Sequence, residues 1–239
     1  MHRLLGVFGL IAVLLFSTVT SLAQDAELLR HFDYDQKAPL GIKEIGIQHR
    51  EHATVYDITY DSPKGGVVPA YLVVPKGRGP FAAVIWGHWY WGNSSMRNRR
   101  QFLDEAIVLA QAGVVSLLTD GPVARPGRVE LKDPLDERRP AEFFQQVMDM
   151  RRGVDLLLAR GNVDRKRIAF VGHSYNAGIG ALLSGVDRRF KAFVLMAGSI
   201  GGGYAGGHLI RILPPRAVRI GIISFGAAAT AIYANRYWL

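Results

Sequence analysis

The stretch Ile168-Ala169-Phe170-Val171-Gly172-His173-Ser174-Tyr175-Asn176-Ala177-Gly178-Ile179-Gly180 decides how this chain is read. Four apolar residues, the pattern of a buried strand, run into Gly172-His173-Ser174, and a helix of small residues leaves it. A serine on a sharp turn between strand and helix has its Oγ held clear of the backbone, beside the first N–H groups of the helix. Attack on an ester carbonyl needs both a presented nucleophile and donors for the oxyanion. The alternative is an ordinary Gly-Ser turn. Ala177, Gly178, Gly180 and Ala181, which let the helix pack close to the sheet, favour the nucleophile. Asn176 stands where the pattern Gly-x-Ser-x-Gly has its last glycine, and asparagine tolerates unusual backbone angles better than most residues. His173 adjoins the serine on a tight turn, so their side chains diverge and packing is its expected role.

Upstream, Phe81 to Trp86 is a continuous apolar run, as in a strand buried on both faces. It is followed by Trp86-Gly87-His88-Trp89-Tyr90-Trp91-Gly92. A loop in this place supplies one oxyanion N–H and the residue after the nucleophile, Tyr175, supplies the other. By position the loop donor is Tyr90 or Trp89. His88, Trp89 and Trp91 are candidates for the wall of an acyl or aryl pocket; the alternative is a packed aromatic loop that holds no ligand.

Phe102 to Ala112 has helical spacing and stops at Gly113, and Val114 to Leu118 is the next buried strand. Asp120 follows it, at the edge of the sheet where open α/β folds bind ligands. It either orients a histidine or bonds the loop backbone around Gly121 and Pro122. Residues 119–139 are rich in Pro, Gly and charge and form an excursion over the surface. Phe143, Val147, Met150, Val154, Leu157 and Leu158 recur at helical spacing between Pro140 and Gly161, and Phe190 to Met196 is a further strand. Before residue 81, Thr54–Tyr60 and Val67–Val74 form two antiparallel strands, expected at a sheet edge because of Pro69. Strand and helix alternate from residue 81 onward. That predicts an α/β fold with a mostly parallel sheet and right-handed crossovers, in a single domain over 24–239.

The composition agrees. With 239 residues, 49% of them hydrophobic, the chain can bury a substantial core. The formal charge of +9 is scattered, and no nucleic-acid-binding signature accompanies it, so nucleic acid is not an expected partner. There is no cysteine, which excludes thiol catalysis, a disulfide framework and cysteine-based zinc sites. No metal or organic cofactor is expected. Residues 1–23 read as a secretory signal: His2 and Arg3, an apolar run from Leu4 to Phe16, and Ser21-Leu22-Ala23 as a cleavage site. The expected location is therefore periplasmic or secreted. An uncleaved anchor is the alternative, although the run is short for a span.

Together, Gly87-His88, Asp120, Val163-Asp164 with Arg167-Ile168, and Gly172-His173-Ser174-Tyr175 resemble the α/β-hydrolase superfamily, in particular its dienelactone-hydrolase-like and acetyl-xylan-esterase-like bacterial members. The likeness covers roughly residues 50–199. It implies a helix-flanked, mostly parallel sheet and hydrolysis of small-molecule carboxylic esters through an acyl-serine. Dienelactone hydrolases proper use a cysteine nucleophile, so Ser174 makes the esterase-like branch the better match.

The superfamily orders its triad Ser, then Asp or Glu, then His. Here no Asp or Glu follows Asp187, and His208 is the only histidine beyond Ser174. The tail 200–239 carries four arginines, clustered glycines and no acid. One expectation is a truncated or frame-shifted family member, inactive or weakly active, or a non-catalytic hydrolase-like binding protein. A second keeps the tail as native structure, with a strand at Arg219–Phe225, a helix at Ala227–Trp238 and His208 as base, held by Asp120 or by no acid. A third makes the uncharged run Ile220–Ala234 a membrane-surface segment, too short to span.

Overall fold

The computed structural model describes residues 29–90, 94–128 and 138–196. All of these belong to one compact unit that ends at Met196. Alternation of buried and half-buried residues in Ala53–Asp61 and Val67–Pro75 makes the strands β2 and β3, joined through the turn at Pro63-Lys64-Gly65-Gly66 and paired antiparallel over their whole length. The apolar run gives β4 (Phe81–Gly87), and the helical spacing after it gives α1 (Leu103–Gln111). Gly113, at φ +74°, ends that helix where its spacing breaks and feeds β5 (Val114–Thr119). The long amphipathic segment is α2 (Arg138–Ala159), with Pro140 in its first turn. Then follow β6 (Val163–His173), α3 (Tyr175–Val186) and β7 (Ala192–Met196). The fold is α/β.

A strand that the sequence pattern does not reveal, β1 (Lys43–His49), pairs antiparallel with β2 and takes the sheet edge. The seven strands lie in the order β1-β2-β3-β5-β4-β6-β7. This corrects the expected edge position of β2 and β3, since β3 lies between β2 and β5. Pro69 is tolerated there for a geometric reason. Its carbonyl accepts the Asp120 N–H at 2.8 Å, and the N and O of one strand residue point to the same side. The missing donor therefore faces β5 beyond the last paired residues, Ala70 and Thr119, and the ladder to β2 is intact.

From β5 onward the neighbours β5, β4, β6 and β7 are parallel. The chain leaves β4 for β5 on one side, then returns through α2 to β6 on the other. This reversal of direction makes the carboxyl ends of β4 and β6 the crevice of the sheet. One layer of core, with Ile85, Leu117, Met150, Leu157, Phe170 and Ile179, lies under α2 and α3. A smaller one, with Val55, Val73, Trp86 and Leu118, lies under α1. Each such fully buried side chain contributes roughly 1.5–3 kcal/mol relative to exposure. The lead-in chain is tied onto α2 by Arg152, which donates to the carbonyls of Gln36 (3.2 Å), Ala38 and Pro39 (2.9 Å).

Candidate functional site

The end of β6 and the start of α3 form a strained elbow. Ser174 has φ +52° and ψ −107° and is the only non-glycine residue with positive φ among the described residues. Such a conformation costs roughly 1–3 kcal/mol and persists only where its surroundings fix it. Here the Ser174 N–H donates to the Met196 carbonyl at 3.1 Å, and the Ser174 carbonyl accepts the Ala177 N–H at 2.9 Å. Gly172 makes room for the reversal, because a Cβ there would lie 2.3 Å from the Asn176 carbonyl oxygen. Ser174 is half-buried, and its Oγ caps no helical N–H. Tyr175 is the first helical residue, so its N–H lies in the first turn of α3, next to the serine.

Asn176 now has an explanation. It is fully buried, its Nδ2 donates to the His88 carbonyl at 2.5 Å, and its Oδ1 accepts from Gln146 Nε2 at 3.2 Å. Gly87 makes the space it occupies, since a Cβ at 87 would lie 2.5 Å from the Asn176 Cβ. The departure from Gly-x-Ser-x-Gly is thus matched by a glycine across the crevice, and the asparagine joins the elbow to the loop after β4.

That loop is held from three directions. His88 is 2% exposed, accepts the Gly121 N–H on Nε2 at 3.0 Å and so carries its proton on Nδ1, which donates to the Trp89 carbonyl at 2.6 Å. Burial lowers its pKa from 6.5 to about 4, which keeps the ring neutral. Both nitrogens are engaged, so His88 shapes the site through the loop that it braces. The Trp89 N–H donates to Gln101 Oε1 at 2.6 Å, while Gln101 Nε2 donates to His173 Nδ1 at 2.7 Å. The indole of Trp89 stacks on the His173 ring, with centroids 5.3 Å apart. His173 therefore packs and accepts, as its place on the turn suggests. Gln101 bridges loop and elbow, a role that nothing in its sequence context signals.

Tyr90 lies beside the elbow, its ring 6.3 Å from that of Tyr175 and edge-on to it. The guanidinium groups of Arg97 and Arg128 sit 5.8 Å and 5.6 Å from the same Tyr90 ring. Asp120, 8% exposed, accepts the Arg99 N–H at 2.7 Å and faces the Arg99 guanidinium at 3.9 Å. Burial raises the pKa of Asp120 above the usual carboxylate value. It thus bonds loop backbone, through Arg99 and not at Gly121-Pro122. Nearby, Arg125 reaches from the loop after β5 to Asp149, which also accepts from Ser62 Oγ at 2.5 Å. Asp187, the last acid of the chain, is held by Arg189 and by Arg151 at 3.4 Å. Trp91, His208, the tail 200–239 and the signal-like residues 1–23 lie outside the described residues.

Among the described residues no group of His, Asp and Glu side chains could hold a metal ion, and no helix is long and apolar enough to cross a membrane.

No protein-family model matches the chain, and a comparison with curated proteins returns no relative. Solved structures do match. The fold is similar to that of acetyl xylan esterase 1 from Thermoanaerobacterium sp. JW/SL YS485, with a TM-score of 0.58 at 19% identity, over 72% of this chain and 57% of that one. It is similar to an acetyl xylan esterase from Paenibacillus sp. R4, with a TM-score of 0.55 at 19% identity, over 71% and 56% of the two chains. A methylesterase gives a TM-score of 0.55 at 21% identity, over 71% of this chain and 38% of its own. The chain has an α/β-hydrolase fold like that of acetyl xylan esterases, and it spans little more than half the length of the first two.

Proposed function

We propose that this protein is a serine-dependent hydrolase of small carboxylic esters. The observation that carries the reading is the backbone of Ser174. A serine held at φ +52° where β6 turns into α3, at the crevice of a parallel sheet, is a costly arrangement with one evident use. The proteins that share the fold are esterases by name, which agrees with it.

In the proposed reaction Ser174 Oγ attacks the ester carbonyl carbon, and the carbonyl oxygen becomes an oxyanion. The Tyr175 N–H at the helix start and the Tyr90 N–H in the loop after β4 stabilise it; the Trp89 N–H is committed to Gln101. The alcohol leaves with a proton, and water then releases the acid from the acyl-serine. His208, the only histidine beyond Ser174, is the candidate to take the Oγ proton. Asp120 is engaged by Arg99, so it is not the orienting acid in this reading. No metal or organic cofactor enters, and residues 1–23 are proposed to direct export.

One observation favours a second reading, a binding protein without turnover. Among the described residues, both histidines flanking the site, His88 and His173, are committed to the scaffold. A fluorophosphonate probe separates the two. Labelling of the full chain that disappears in Ser174→Ala is the result expected for an activated serine. Absence of labelling in well-folded protein would leave the binding reading.

A further inference from the structure

The charge of +9 that is scattered along the sequence is gathered by the fold. The amino ends of the parallel strands share one end of the sheet. Phe81 of β4 pairs there with Val163 of β6, Ala82 with Val114 of β5, and Ala169 of β6 with Ala192 of β7. β3 runs the opposite way, so its last residue, Pro75, and the first of β2, Ala53, lie at this end as well. The connections here are stitched together. The Lys76 N–H donates to the His52 carbonyl at 3.0 Å, and the Phe81 N–H to that of Asn162 at 2.8 Å. Lys76, Arg78, Arg165, Lys166, Arg188 and Lys191 stand exposed on these connections.

Two of these cations lie on a bulge. The β4–β6 ladder passes from the pair Phe81–Val163 directly to Ala83–Ile168, so residues 164–167 stay out of it. Asp164 closes the bulge by accepting the Lys166 N–H on Oδ1 and Arg167 Nε on Oδ2, each at 2.8 Å. Arg167 also donates to the Pro80 carbonyl at 2.7 Å, which leaves Arg165 and Lys166 at the tip. The acids of the same connections are already matched. Asp164 is taken by Arg167, Asp187 is buried against Arg189 and Arg151, and Glu51 faces His52 at 3.3 Å. On balance this end of the sheet is strongly positive.

We infer that this end of the sheet is a docking face for a bilayer rich in anionic phospholipid, on which the protein sits with the Ser174 crevice turned away. The extent of the face fits a surface. It runs from β2 to β7 across the strand order, roughly 24 Å at about 4.8 Å per strand. Its cations come from turns spread along that width, not from a helix or ribbon that enters a groove of duplex nucleic acid. Phe190, the phenyl ring among them, is buried in the core and cannot stack on an unpaired base. Nor does the face hold an ester at the nucleophile, because the length of β4, roughly 20 Å, separates it from the elbow. Lipid phosphates are met by Arg and Lys alike. The face stands whether or not Ser174 turns over an ester.

Vesicle binding by the full chain tests this. Co-sedimentation with phosphatidylcholine vesicles carrying roughly a third phosphatidylglycerol is expected, and its loss in about 1 M salt or without phosphatidylglycerol. Each Lys or Arg near an anionic surface strengthens binding about fivefold, so Arg165→Gln with Lys166→Gln should weaken it about 25-fold. Lys43→Gln with Lys64→Gln removes the same charge from the other end of the sheet, where Lys43 pairs with Thr59 and Lys64 lies in the turn between β2 and β3. That end is more than a Debye length away, so binding should stay within about twofold. All of these side chains are exposed, and the thermal midpoint shows that each variant is folded. An equal loss in both double variants would reduce the effect to net charge and overturn the face. So would equal binding to phosphatidylcholine alone, or no binding at low salt. Tighter binding of a mixed-sequence DNA duplex than of the vesicles at the same salt would replace the bilayer by nucleic acid, and overturn it too.

Discussion

Single side chains set the state of this site. His88 is the example with a pH signature. Its pKa in the folded chain is about 4 against an ordinary 6.5, so the folded protein favours the neutral ring. The stability that comes from it is complete above pH 6.5 and is lost as the pH falls toward 4, where unfolding allows the ring to protonate. The difference of about 2.5 units corresponds to roughly 3 kcal/mol. Urea unfolding of wild type and His88→Gln at pH 7 and pH 4.5 is expected to show the smaller pH dependence in the variant; equal dependence would mean that His88 is not the group. Gly87 and Asn176 make a second case. Gly87→Ala places a methyl group 2.5 Å from the Asn176 Cβ and is expected to cost about 1–3 kcal/mol as an overpacked site. In an Asn176→Gly background the same change should cost at least about 1 kcal/mol less, and a double-mutant cycle in urea measures that coupling. Additivity of the two would show that the contact is relaxed at no cost.

At the scale of elements, the site depends on how the loop after β4 is joined to the turn after β6. Gln101 makes that joint with two hydrogen bonds of one amide, at 2.6 Å to the Trp89 N–H and 2.7 Å to His173. Gln101→Leu releases both partners and leaves Tyr90 less well placed. The expected outcome is about a tenfold slower reaction of Ser174 with a fluorophosphonate, a fraction of what loss of a whole oxyanion donor costs. Circular dichroism should remain that of the parent; an unchanged labelling rate would argue that the loop is fixed without the bridge. The sequence shows β4, β5, β6 and the helices α1 and α2 because their signals are local, as apolar runs and helical spacing. It marks Ser174 as the candidate because a strand-Gly-His-Ser-helix turn has its own short pattern. It does not show β1, whose residues are almost all exposed and lack alternation. Nor does it show Gln101, or the match of Gly87 to Asn176, since those exist only once distant segments are folded together. Asp120 is legible as a residue at the right edge of the sheet, but its bond to Arg99 is a product of tertiary structure.

For the molecule as a whole, the α/β alternation from residue 81 predicts the parallel half of the sheet, while the strand order depends on crossovers that no local pattern encodes. The strained elbow has a further consequence at this scale. A residue at φ +52° is one that glycine adopts without penalty, so Ser174→Gly is expected to raise global stability by about 1 kcal/mol, measured as a higher urea midpoint at unchanged slope. A lower midpoint would show that the turn is not strained as its angles indicate. The most stable version of this protein is then one without its candidate nucleophile. A random library of the chain sorted for heat resistance alone should accumulate glycine at position 174, whereas one sorted for ester turnover should keep the serine. The backbone angle at one turn thus makes that position a gauge of what a population of these molecules is being selected to do.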